Sequence, residues 1–383
     1  MGWEMVKLGE FIEETRITNK EDEALPVYSV TKHHGFMPSK EFFNKTVHSK
    51  DLTRYKICNT NDWAYSTIHL DEGSLGFAPE RCLISPMYKT FTVDETALNR
   101  EFLYCFLKSR NALKQYSLIG QGSVERRRSV KFDEFERVKI PLPPLEEQQR
   151  IAKILNSVED QVTNVHRQKS LASTLQVSFF EACTNSNSTL KSLGDSGLQV
   201  ITGKSLTAKG NDASPDSFVI KVSAVSSGIF DASEIKPLPA SYTPNPDHLI
   251  HEGDLLFARA SGSPSLLGAV AIAPATKRNL YLPDKVWKIS CPNIPNAVLH
   301  TALQTQRFRR HVESNASGAS GVMNVRRTTL SEFEIPQLNE IEAFELNSQL
   351  LQIDNLASSL TKKAMLLNEL YTSLSSRAFA GEL

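Results

Sequence analysis

The feature that most limits how this chain can fold is that it is written twice. KLGE, Lys7–Glu10, returns as SLGD, Ser192–Asp195, each opening one half. YSVTKHHGF is answered by IKVSAVSSGIF, and NDWAYSTIHLDEGSLG by GDLLFARASGSPSLLG; Asp62 and Asp254 each stand fourteen residues ahead of Gly76 and Gly268, which pairs those two glycines. Further on, GSVERRRSVKFDEF (Gly122–Phe135) aligns with SGVMNVRRTTLSEF (Ser320–Phe333), and IPLPPLEEQ with IPQLNEIEA. Order kept over such a length means two copies of one unit.

Within each half, PVYSV, KTFTV, FVIKVSAV, DLLFARA and KVWKISC are β-branched or aromatic runs bounded by Gly, Asn and Pro, which predicts strands. One helix with a basic face follows in each copy, EFLYCFLKSRNALKQY or VLHTALQTQRFRRHV, then a Gly/Ser turn and an arginine cluster. Pro141, Pro143 and Pro144 then hold the chain extended, and Glu146 and Glu147 suit the first turn of a helix starting near Leu145. Apolar residues at Ile151, Leu155, Val158, Val162, Val165, Leu171, Leu175 and Phe179 make a long stripe. The second copy offers Ile353, Leu356, Leu360, Leu367, Leu370 and Leu374. Helices of roughly 35 residues are far longer than the mean and need a partner, so the two stripes are expected to pack antiparallel. The expected fold class is α+β: two β-rich globular domains, 1–144 and 186–338, separated by long antiparallel coiled-coil helices over 145–185 and 339–383, as an internal pseudo-repeat.

Composition narrows the function. No run of about 18 uncharged apolar residues occurs, and MGWEMVKLGEFIEE lacks a signal-peptide pattern, so a soluble cytoplasmic protein with no membrane partner is expected. Five scattered cysteines without a CxxC pair encode neither a disulfide framework nor a zinc site. With 43 basic and 43 acidic residues there is no global field toward nucleic acid. Local patches carry the signal: Arg100–Lys131 holds 8 Lys/Arg against 2 Asp/Glu, and Leu303–Arg327 holds 5 against 1.

No Walker A, HExxH or GxSxG motif occurs, and no cofactor or metal is expected. Asn245-Pro246-Asp247-His248 only echoes a methyltransferase tetrad. Asp216 with Glu234 and Lys236 has the spacing of a metal-dependent nuclease, but Pro237 and Pro239 argue for a loop there. A coiled-coil protein adaptor is the other alternative; it leaves the recurrence of a basic helix and arginine cluster unexplained. Candidate DNA-contacting residues are Arg126, Arg127, Arg128, Arg326 and Arg327 for phosphates. Lys32, His33 and His34 in the first half and Lys204 and Lys209 in the second lie on polar loops after strands. Ser66, Thr67 and His69, with Arg259, Ser261 and Ser263 in the matching slots, differ between copies as two readers of different sequences would.

The ramp KIPLPPLEEQQRIAKIL and the tail ELYTSLSSRAFAGEL, Glu369–Leu383, together resemble the specificity subunits of type I restriction-modification systems, over nearly the whole chain. That resemblance implies a non-catalytic scaffold. Its two target-recognition domains each read half of a split, asymmetric site in double-stranded DNA, and its helices set the gap. Two modification subunits that methylate adenine would dock on it, and restriction/translocase subunits would join.

Overall fold

The structure is a computed structural model that describes residues 2–43, 48–120, 129–184, 189–208, 212–226, 228–318 and 322–383. The chain divides into two units, Met1–Val165 with Lys363–Leu383, and His166–Lys362. Two long helices, Leu145–Thr184 and Glu340–Ala380, run from one unit into the other. The first helix starts at the residue that the proline ramp predicts.

In the first unit an antiparallel sheet has the order Ile12–Thr15, Tyr88–Val93, Trp63–Ser66, Leu75–Phe77. A second sheet orders Gly35–Pro38, Val27–Thr31, Cys82–Ile84 and Lys56–Cys58, its middle pair parallel. The second unit repeats both. Gln199–Thr202, Val286–Ser290, Leu255–Ala258 and Val270–Ile272 form the antiparallel sheet. Ile235–Pro239, Ala213–Ile220 and Asn279–Tyr281 form the other, again with a parallel pair. A short clasp closes each unit: Met5–Lys7 pairs with Lys139–Pro141, and Leu190–Ser192 with Glu334–Pro336.

The recurring Asn-Asp and Gly-Asp pairs have one geometric cause. Asn61 and Gly253 both take a positive φ, 74° and 83°. The next residue's carboxylate then accepts the amide three residues back, Asn59 to Asp62 and His251 to Asp254, both at 2.8 Å. The glycines match differently from the sequence expectation. Sheet register sets Ala64 opposite Gly76 and Leu256 opposite Ala271, so Ala271 is the counterpart of Gly76. Gly268 instead corresponds to Gly73, both left-handed at φ 77° and 89°. Gly76 is required for another reason: a Cβ there would lie 2.9 Å from the Gly35 Cα, where the two sheets cross.

Three further expectations change. Each predicted basic helix is two helices, Arg100–Leu107 then Arg110–Ile119, and Asn296–Ala302 then Gln306–Asn315. The break is made by Ser109 and Thr305, whose hydroxyls accept the amides of Ala112 and Phe308 and cap the second helix. FVIKVSAV is a strand only to Ile220, and Ser223–Ser226 turns helical. The stretch Ile235–Pro239 is a strand, not a loop, because an edge position leaves Pro237 and Pro239 no ladder bond to forfeit.

Each core includes both long helices. In the first unit Trp63, Tyr65, Phe91, Phe102, Phe106 and Phe135 are buried with Ile151 and Leu155 of the first helix and Ala378 and Phe379 of the second. Phe379 meets Phe102 and Phe106 edge-on at 5.6 and 5.1 Å. The start of the first helix thus lies with the end of the second, and Arg150 donates to the Leu383 carbonyl at 3.2 Å. In the second unit Phe180 is buried with Leu346 and Leu350 beside Phe257, Phe308 and Phe333. Within each unit the two helices are therefore antiparallel.

The two ramps differ for a reason that the head helices supply. Gln148 is 1% exposed; its Oε1 accepts the Asn99 amide at 2.7 Å, and its Nε2 donates to Pro143 at 2.9 Å and Ala97 at 3.1 Å. Asn99 caps Arg100–Leu107, so Gln148 bolts the long helix to the head. In the second unit the cap position is Pro295, which has no amide to satisfy. Ala343 stands at the aligned position beside a cavity of about 150 Å³ lined by Pro295, Val298, Pro336 and Leu338. That helix starts on a reciprocal box, with Asn339 and Glu342 each accepting the other's amide at 2.9 and 3.0 Å.

Gln148→Leu strands one buried amide and two carbonyls, so it is expected to cost about 2–3 kcal/mol in denaturant unfolding. Ala343→Ser, facing the cavity, is expected to change little. Asp354 accepts from Gln176 at 2.8 Å, and burial raises its carboxyl above the usual range. The ionised form is therefore disfavoured in the folded protein. Asp354→Asn should stabilise by about 1 kcal/mol at neutral pH. The gain should shrink as pH falls through the raised folded value toward the unfolded one, because the wild-type carboxyl then protonates.

Candidate nucleic-acid interface

Three loops of the first unit converge. The turn Lys32–His34 joins two strands of the second sheet, and all three side chains are exposed. Lys32 Nζ lies 3.9 Å from Glu72 Oε2, and His69 Nδ1 lies 3.2 Å from Glu72 Oε1. Lys108, just past the first head helix, donates from Nζ to the Lys32 carbonyl at 2.7 Å. The candidates Lys32 and His69 are thus neighbours, joined by an acid. Neither Glu72 nor Lys108 stands out in the sequence as a site residue.

Thr67 lies at the end of a core strand, and its carbonyl accepts the Val130 amide at 2.9 Å. The chain leaving the arginine cluster is anchored there. Arg126, Arg127 and Arg128 themselves, and Lys209, lie outside the described residues. Ser66 is buried at 6% exposure, so its hydroxyl faces the protein.

The second unit repeats this anchoring: the Val325 amide donates to the Arg259 carbonyl at 2.8 Å, and Ala260–Ser261 pairs with Met323–Asn324. Thr67 and Arg259 are therefore structural equivalents. Arg326 and Arg327 follow at once and are exposed, at the start of the helix Arg327–Glu332. The Arg259 guanidinium stacks on Trp287 with Cζ 5.5 Å from the ring centre. Ser261 is buried at 9% and accepts the Ser263 amide at 3.1 Å, so it shapes the loop. Lys204 stands over the Tyr242 ring at 5.8 Å. Its amide donates to Leu282, while Arg259 donates its own amide to Lys285, so the stretch 282–285 links the two candidates.

Much of the basic charge counted in the sequence is used inside the units. Arg100 pairs with Glu95 at 2.7 Å. Arg309 donates to the Leu267 carbonyl and to Glu313, both at 2.8 Å, and Arg307 lies over Phe333 and donates to the Glu334 carbonyl. Burial lowers the Lys108 ammonium to about 8 despite the attraction of Glu159, whose own carboxyl burial pushes up. Of the nuclease candidates, Asp216 is exposed, and Glu234 is held by Lys221 at 3.3 Å and by Ser223. Among the described residues no group of three His, Cys, Asp or Glu is placed to hold a metal.

Residues 1–172 match the family model described as the type I restriction modification DNA specificity domain. The chain is 24% identical over 316 residues to the Type I restriction enzyme EcoKI specificity subunit of Escherichia coli K12, a match covering 74% of this chain and 65% of that one. It is 26% identical over 169 residues to the MjaVIII specificity subunit of Methanocaldococcus jannaschii, covering 43% and 38%. The chain therefore spans less than two thirds of the length of either relative. Its fold is similar to the S subunit of the M. genitalium type I restriction-modification system, with a TM-score of 0.54 and 12% identity over 99% of this chain and 96% of that one. A chain from a structural study of type I R-M complex assembly and conformational transition gives 0.52 at 16% identity, covering 100% and 98%. Residues 1–172 thus match a type I specificity domain, and the whole chain is similar in fold to these two solved chains.

Proposed function

We propose that this chain is the non-catalytic DNA-recognition subunit of a type I restriction-modification complex. Residues 1–144 and 186–338 are its target-recognition domains, and 145–185 and 339–383 its spacer helices. The observation that carries the reading is that one head occurs twice, each with a segment anchored at Thr67 or Arg259 beside loops that differ between copies. Two heads of one build with different loops suit a split, asymmetric site. The exposed Lys32, His33 and His34 of the first head, and Arg326 and Arg327 of the second, face solvent as groove and phosphate contacts must. Two adenine-methylating modification subunits and the restriction/translocase subunits are the proposed protein partners, in the cytoplasm where the DNA is. No helix among the described residues is long and apolar enough to cross a membrane.

A protein adaptor is the competing reading, and salt separates the two. DNA binding by the chain with its modification subunits should weaken steeply between 50 and 200 mM salt, by roughly 10³-fold or more. Arg326→Ala with Arg327→Ala should lower the slope of log affinity against log salt by about 2, uniformly across sequences. A changed target sequence at unchanged affinity would make these arginines base readers instead.

Helix length is the proposed ruler for the gap between half-sites. Four residues inserted after Val165 and four after Lys362, where the chain passes between units, lengthen both helices by about 6 Å and keep the stripe nearly in phase. The methylated site should gain one or two base pairs of gap, at ~3.4 Å each, with both half-sites unchanged. An active complex with the original gap would show that the helices are not the ruler.

A further inference from the structure

The first head carries a device that the second lacks. Lys32–His34 is a tight turn of three exposed basic residues, and its stem is fixed at one end by Gly35, with φ 59°, packed against the backbone of Leu75 and Gly76. The His34 amide donates to Thr31 Oγ1 at 3.1 Å. A further tie on the main chain comes from outside the hairpin, where Lys108 Nζ reaches the Lys32 carbonyl at 2.7 Å.

Lys108 joins three parts of the first unit. Its ammonium stands over the Tyr104 ring at 5.3 Å, and its stem passes the Gly73 backbone, next to Glu72. From the first long helix, Glu159 acts on it electrostatically. A lysine that only covered apolar surface would send its charge to water. This one is largely withdrawn from solvent and directs a donor at a main-chain carbonyl. The matching position in the second head, immediately before the cap residue Thr305, is Gln304, which donates to His300 Nε2 at 2.9 Å. There the loop between Ala213–Ile220 and Ile235–Pro239 includes its own helix, Ser223–Ser226.

We propose that Lys108 is a positioning residue for recognition by the first head: standing on Tyr104, it holds the Lys32 carbonyl and thereby fixes the Lys32–His34 turn for DNA. The inference rests on the recognition role proposed above. It makes an asymmetric demand, because loss of the clamp must disturb one half-site and spare the other. Direct readout depends on side chains held in register with base edges, so a turn free to shift loses discrimination before it loses charge.

The test uses the full chain with its modification subunits in cells, reading methylated sites for wild type, Lys108→Met and Lys108→Arg. Lys108→Met keeps the stem and removes the donor. It should reduce base discrimination in one half-site by about ten-fold, within what one base position ordinarily supplies, and leave the other half-site at wild-type selectivity. Lys108→Arg, which keeps a donor, should restore most of it. Lys108→Gln, the residue the second head uses, guards against a folding defect; its amide ends one bond short of the lysine Nζ and so falls short of the Lys32 carbonyl, and it should behave like Lys108→Met while the thermal midpoint stays within a few degrees of wild type. Faster hydrogen exchange at the His33 and His34 amides should accompany both losses. Wild-type discrimination in Lys108→Met at both half-sites, or equal loss at both, overturns the inference alone. A wild-type complex that methylates no split site overturns the recognition role, and the inference with it.

Discussion

Neither β-rich head closes its core without the long helices. In the first unit the aromatic cluster ends on Ile151, Leu155, Ala378 and Phe379, and Trp3 donates from Nε1 to the Ala378 carbonyl at 2.7 Å. Removing those residues from contact would bare the faces of Phe102 and Phe106, each worth a few kcal/mol of burial. The dependence runs both ways, since helices of 40 and 41 residues with one apolar stripe do not persist alone in water. Head and helix are one folding unit, and every other feature of the molecule is arranged around that shared core.

The junction is also where the two copies diverge under the same geometry. In the first unit Lys108 stands over Tyr104 and is attracted by Glu159; Gln304, His300 and Asp354 occupy corresponding places in the second. An acid on a long helix faces the head helix in both. The first junction retains a cation, which reaches out to a surface turn. In the second, burial holds His300 below its ordinary range and raises the Asp354 carboxyl, and Gln176 donates to both Asp354 and Thr301. The same backbone frame therefore carries a lysine tie in one unit and an amide–carboxyl network in the other. Buried polar networks of this kind restrict which arrangements satisfy every donor, a contribution to uniqueness more than to stability.

The duplication, the central strands of each head, the ramp and the start of the first long helix were legible from residue order, because each is a local pattern repeated with its spacing kept; the edge strand Ile235–Pro239 was not. What sequence could not supply was tertiary pairing. Ser109 and Thr305 sit inside apolar periodicity and read as ordinary helix residues until their hydroxyls are seen to cap a second helix. Gly76 and Gly268 share a spacing and a neighbouring leucine, yet sheet register and positive φ set Gly268 against Gly73. Of the candidate site, sequence found the turn Lys32–His34 and the Thr67 and Arg259 slots. Lys108 and Glu72 were not singled out, since they come beside that turn only once two distant loops and a helix end share one place.

Net charge of zero with local basic patches had suggested faces rich in free cations, but the structure distributes that charge differently. Arg100, Arg307 and Arg309 are spent on carboxylates and main-chain carbonyls, which fastens the head helices to their sheets. Exposed basic groups on tied-down backbone remain at the Lys32–His34 turn and at Arg326 and Arg327, where a helix starts. Few cations on rigid stems give less nonspecific attraction to phosphate than a uniformly basic face would. They also lose less entropy on being placed against a groove, since their backbones are already ordered. For the proposed role, ignoring most DNA while holding one split sequence, both effects are advantages that a chain of zero net charge retains.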